Sequence, residues 1–147
     1  MTGSQSHKGM KVRWDDVMLR SGYHPLTAYK QSKLCDMLLA KGINDRYCGE
    51  GVRAYVVDPG LVNTQIGNKA GGLVRFVWKW QKRHGIQPAV AAQTYAYLCG
   101  EAQPPKGLYY AKCRQKAYSR EVTQQNADRL YALSQRLCGI QEGRDGR

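Results

Sequence analysis

A long helical period running into a short β-branched stretch constrains this chain more than any other feature. From Pro25 to about Tyr47, Ala28, Leu34, Met37, Leu38 and Ile43 recur at helical spacing, with Thr27 near the start as a candidate cap. Gly49-Glu50-Gly51 stops the period. Val52 to Val57 then reads as a buried strand that ends at Asp58-Pro59-Gly60. A helix feeding a buried strand, with helices following, is the grammar of α/β units in a parallel sheet.

The remaining segments fill in around that unit. Residues 1 to 24 mix Gly, Ser and Lys with a Trp14-Asp15-Asp16 cluster and read mainly as loop. Residues 61 to 70 also read as loop, and Leu73 to Trp80 as a short helix or lid. Pro88 suits the first turn of a helix over Ala89 to Cys99 that Gly100 ends. Lys106 to Ala111 is predicted as a second strand. A last helix is predicted from about Ser119 to Leu137, with Ala127, Leu130, Leu133 and Leu137 on one face and Gly139 beyond it. The tail from Gln141 is polar.

Composition narrows the function classes. At 147 residues the chain has room for one domain, residues 1–147, and not for two. No apolar stretch is long enough for a signal peptide or a bilayer span. The five cysteines, at 35, 48, 99, 113 and 138, are odd in number, widely spaced and without a C-x-x-C pair, so neither a disulfide framework nor a metal site is expected. Cys35 and Cys99 have apolar neighbours and read as small core residues. With 23 basic and 11 acidic residues the net charge is +12, which attracts any polyanion. The basic residues are scattered, however, and no aromatic-interleaved motif organises them, so a nucleic-acid partner is not expected.

The chemistry lies on the first helix. Tyr29 and Lys33 are four residues apart and leave the same face one turn apart. A free phenol titrates near ~10, too high for efficient proton exchange at neutral pH, and a fixed ammonium beside it lowers that value.

The block Ala28-Tyr29-Lys30-Gln31-Ser32-Lys33-Leu34, followed some way on by Val57-Asp58-Pro59-Gly60-Leu61-Val62-Asn63-Thr64, resembles the short-chain dehydrogenase/reductase family in order, spacing and residue type. Ser4-Gln5-Ser6-His7, then Asp15-Asp16, then Tyr29 is similar to the layout of its retinol-dehydrogenase-like branch. The resemblance implies the C-terminal half of such an enzyme: α/β, the C-terminal part of a Rossmann-type doubly wound parallel sheet without its first β-α units. It implies a general acid/base in Tyr29, a ribose-holding cation in Lys33 and an oxyanion-stabilising serine in Ser4, with Ser6 the competitor if the register slips. Pro59, Gly60, Leu61, Val62 and Thr64 would join Tyr29 and Lys33 around a nicotinamide cofactor, NADP or NAD, and the substrate would be a lipophilic carbonyl or alcohol.

One part of such an enzyme is missing. The sequence contains no glycine-rich turn linking a strand to a helix, the element that presents backbone N–H groups to a pyrophosphate. The expectation is a truncated form with little or no NADP-dependent turnover by itself. The alternative is a catalytically dead binding or dimerisation form that pairs with a full-length relative, since the family commonly dimerises through the helix bearing Tyr29. Val74 to Arg83 sets aromatics beside basic residues and could touch an anionic membrane surface, with a lid or core helix as the other reading. The expected location is intracellular, either cytoplasmic or peripheral to the endoplasmic reticulum membrane.

Overall fold

The computed structural model describes residues 1–62, 85–100 and 105–140. Helix α1 covers Pro25–Tyr47, strand β1 Val56–Val57, helix α2 Pro88–Gly100, strands β2 and β3 Tyr109–Ala111 and Arg114–Gln115, and helix α3 Gln124–Leu137. The expectations for Thr64, for Leu73 to Trp80 and for Val74 to Arg83 lie outside the described residues. Among the described residues no helix is long and apolar enough to cross a membrane, and no cluster of side chains could hold a metal ion.

The sheet is small and mixed, in the order β1-β2-β3. β1 and β2 run parallel, Val56 beside Tyr109 and Val57 beside Tyr110, as expected for the end of an α/β sheet. β2 and β3 form an antiparallel hairpin. Its two-residue turn, Lys112-Cys113, holds both residues at positive φ, 53° and 56°, which matches the twist of the flanking strands. The buried Thr94 hydroxyl of α2 accepts from the Cys113 N–H at 3.1 Å and ties this turn to the helix.

Residues 1 to 24 are mainly loop and turn, as read from the sequence, apart from the 3-10 turn Gln5–His7 and the opening residues, which pair with β1. Thr2 lies parallel beside Val57, with Gly3 N–H donating to the Val57 carbonyl at 2.7 Å and Val57 N–H to the Met1 carbonyl at 2.9 Å. Those two bonds face β1, so the Thr2 carbonyl points away from it, along the outer edge.

Both expected strands are shorter in the structure. Ahead of β1, the side chain of Asn44 takes the place of a neighbouring strand: its amide nitrogen donates to the Ala54 carbonyl at 2.9 Å, and its oxygen accepts from the Ala54 N–H at 2.7 Å. α3 starts at Gln124 rather than Ser119, because the Thr123 hydroxyl accepts from the Asn126 N–H at 3.1 Å and so serves as the cap. α1 starts at Pro25 behind His24, and Thr27 does not cap it.

The core sits between α1, α3 and the sheet. Leu34, Met37, Leu38 and Ala40 of α1 are wholly buried against Val56, Tyr109, Ala127 and Leu130. Each large apolar side chain there contributes on the order of 2 kcal/mol relative to exposure. Across the helix pair, Arg46 donates to Asp128 at 2.7 Å and the Tyr47 and Tyr131 hydroxyls meet at 3.1 Å. Of the expected α3 face, Ala127 and Leu130 are buried, Leu133 is half-buried and Leu137 is exposed. Leu137 is the last residue of the helix. Cys35 packs on the core, but Cys99 is exposed near the end of α2 and is not the core residue expected.

Candidate active site

The period that builds α1 also presents Tyr29 and Lys33 on one side of it. The Lys33 Nζ lies 5.9 Å from the centre of the Tyr29 ring, within reach of its π-face. The same nitrogen donates to the outward Thr2 carbonyl at 2.9 Å and to Asp36 Oδ2 at 3.0 Å. An ammonium has three donors, so one remains to point at a ligand. The strand of residues 1 to 3 therefore fixes where the lysine head sits.

Ser4 follows directly and heads the 3-10 turn Gln5–His7, where its hydroxyl oxygen accepts from the Ser6 N–H at 3.3 Å. Its own O–H is left to donate. The Ser6 hydroxyl is buried and has no partner among the described residues. Ser4, and not Ser6, lines a cleft of 560 Å³ together with Thr2, Gly3, Gln5, Tyr29, Lys33 and Asp58 to Val62. That volume is ordinary for a small-molecule site. Two other cavities, of 290 and 510 Å³, flank Trp14 and Arg129 and include none of these residues.

The far wall is the bend after β1. Gly60 has φ +72° and its N–H donates to Asp58 Oδ1 at 2.8 Å. Glycine adopts this left-handed conformation without strain and leaves the backbone bare toward the cleft. Pro59, Leu61 and Val62 give the wall its apolar face, and Leu61 is tied to Ile86, whose N–H donates to the Leu61 carbonyl at 2.8 Å. The structure thus brings together Tyr29, Lys33, Ser4, Pro59, Gly60, Leu61 and Val62.

Two residues near the site were not singled out by sequence reasoning for any role of their own. Tyr109 is buried and its hydroxyl donates to Asp58 Oδ2 at 2.8 Å. Burial first, and then the bond to the Asp58 carboxylate and its charge, push the phenol well above its usual range, so it stays protonated and remains a donor. His7 is wholly buried. Its Nδ1 is 2.6 Å from the Ser4 carbonyl and its Nε2 is 3.3 Å from the Ser119 nitrogen. The only sequence signal for His7 is its place after the serine pair, and Tyr109 reads simply as a strand aromatic.

Comparison with known proteins gives relatives over almost the whole chain. No family model matches it. Mouse retinol dehydrogenase 12 is 30% identical over 141 residues, which is 94% of this chain and 44% of the mouse protein. Mouse retinol dehydrogenase 13 is 31% identical over 146 residues, 93% of this chain and again 44% of the relative. The crystal structure of an uncharacterised protein from Mycobacterium paratuberculosis shares the fold, with a TM-score of 0.64 at 21% identity over 94% of this chain and 48% of that one. The chain spans less than half the length of the curated relatives it matches.

Proposed function

Because the chain belongs to the short-chain dehydrogenase/reductase family, in its retinol-dehydrogenase-like branch, we propose that its cleft is the proton-transfer side of a nicotinamide-dependent site that interconverts a lipophilic carbonyl compound and its alcohol. The observation that supports this is the convergence of Tyr29, Lys33, Ser4 and the Asp58–Val62 bend on one cleft.

The residues present fit the nicotinamide ribonucleoside end of such a cofactor. Lys33 has one donor left for a ribose hydroxyl, Gly60 offers bare backbone, and Pro59, Leu61 and Val62 supply an apolar wall for a flat ring. Thr64 belongs to the same set by resemblance. The residues do not supply a pyrophosphate cradle, since no glycine-rich strand-to-helix turn occurs in the sequence.

When bound, the nicotinamide ring gives a hydride to the substrate carbon or takes one from it. Tyr29 carries the matching proton, donating it from its phenol to the carbonyl oxygen in reduction and removing it from the alcohol in oxidation. The Ser4 O–H, freed because its oxygen already accepts from Ser6 N–H, donates to the same substrate oxygen and stabilises the charge that builds there. The Lys33 ammonium stabilises the phenolate left on Tyr29. Thr2 and Asp36 hold that ammonium in place.

The test uses the 147-residue chain with reduced nicotinamide mononucleotide, a probe that needs only the half-site present. At millimolar concentration it should shift the backbone amide signals of Ser4, Gly60 and Leu61, and Lys33→Ala should abolish the shifts. With NADPH and a lipophilic aldehyde, the same chain should show little or no turnover. Absence of any amide shift with the wild-type chain overturns the reading in favour of a form that only pairs with a full-length relative.

A further inference from the structure

The two rims of the cleft are linked behind it. On one rim Ser4 heads the turn that ends at His7. On the other, Asp58 to Gly60 makes the bend. Between them lie two buried aromatic rings, His7 and Tyr109, packed edge to face with centres 5.0 Å apart and planes at 82°. Tyr109 stands behind the cleft residue Gly3, where an added Cβ would come within 3.4 Å of the Tyr109 ring.

Hydrogen bonds tie each ring to one rim, and the ring-on-ring contact joins the two halves. His7 Nε2 accepts from the Ser119 N–H at 3.3 Å, so in the neutral ring the proton sits on Nδ1 and is donated to the Ser4 carbonyl at 2.6 Å. His7 packs against Tyr109, whose hydroxyl donates to Asp58 Oδ2 at 2.8 Å. Asp58 Oδ1 accepts from the Gly60 N–H at 2.8 Å. Apolar rings would fill the same space without the desolvation that buried polar atoms cost. Here both polar ends are used, and each ends on a segment that lines the cleft.

We propose that His7 and Tyr109 are positioning residues: together they brace the cleft and hold the Ser4 hydroxyl and the Gly60 backbone at a fixed separation. This rests on reading the cleft as a nicotinamide and carbonyl site. Neither side chain lines the cleft, and the two act only through Ser4 and Gly60.

The experiment combines Tyr109→Phe, which keeps the ring but removes the bond to Asp58, with His7→Phe, which keeps a ring but removes both of its hydrogen bonds. His7→Gln serves as the conservative variant, retaining a donor and an acceptor should His7→Phe fail to fold. Two readouts are taken on folded protein: hydrogen exchange at the Ser6 and Gly60 amides, and affinity for reduced nicotinamide mononucleotide. Tyr109→Phe should speed Gly60 exchange about five- to tenfold, as expected for loss of one hydrogen bond, and weaken the mononucleotide by a similar factor.

The brace also requires coupling. Tyr109→Phe should speed exchange at Ser6, on the opposite rim, and the double variant should show less than the product of the two single effects. His7→Gln should recover part of the loss seen in His7→Phe. If folded Tyr109→Phe leaves exchange at both amides unchanged, or the two substitutions act independently, the brace is overturned. If the wild-type chain binds no mononucleotide, the cofactor reading falls instead, and the exchange measurements still decide the brace.

Discussion

Gly3 occupies a position that no other residue fills without displacement, because an added Cβ would collide with the Val56 side chain. Gly3→Ala is therefore expected to destabilise the chain by about 1–3 kcal/mol, the usual cost of overpacking, and to lower the urea midpoint without changing its slope. The thiols give a second expectation. Burial, and then the neighbouring Asp36 charge, push Cys35 up to about 11, so it remains a thiol at neutral pH. Iodoacetamide at pH 8 should label the exposed Cys48, Cys99 and Cys138 well before Cys35, as read by peptide mass spectrometry. That Tyr29, Lys33, Ser4 and Pro59 to Val62 share one cleft was legible in the sequence because they stand in three segments, 4–7, 28–34 and 57–64, whose order and residue types resemble one family. The placement of His7 and Tyr109 was not. Besides the Ser4 carbonyl three residues before His7, their partners lie 112 and 51 positions away along the chain, and nothing local marks those two distant pairings.

The helices were legible for a different reason: their apolar period repeats over several turns, so small errors average out, and only their ends moved. α3 begins at Gln124, behind the Thr123 cap, rather than at Ser119 because both Ser119 and Thr123 are cap-forming types, and the geometry selected the one whose hydroxyl reaches an amide three residues on. Thr123→Ala should cost about 1 kcal/mol, visible as a drop in the thermal midpoint with the sheet signals unmoved. Strands fared worse. β3 escaped notice because Lys112-Cys113 carries no glycine or asparagine to announce a turn with positive φ, and the hydroxyl of Thr94 on a distant helix supplies the support. The pairing of residues 1 to 3 with β1 was equally silent, since three residues are too few to show alternation.

For the molecule as a whole, acid stability follows from two carboxylates. Asp16 accepts from the Ser21 and Arg20 backbone N–H groups, and Asp128 accepts from Gln124 and then Arg46. Each is held below the usual carboxylate range. A depressed folded-state value contributes stability that is fully present above the unfolded value, about pH 4, and is lost as pH falls through the folded one. The contribution of these two carboxylates to the urea midpoint should therefore be fully present above about pH 5 and be lost progressively below about 4. Asp16→Asn with Asp128→Asn should start lower at neutral pH and show a shallower fall. The same view of the molecule gives the Lys33 contact with the Thr2 carbonyl a wider meaning. That oxygen is the acceptor the outermost strand offers to any newcomer, and the amine of the reactive pair already holds it. A polypeptide that extends the sheet at this border must share the acceptor or dislodge the ammonium, so pairing at this edge and the position of the Lys33 head are mechanically linked.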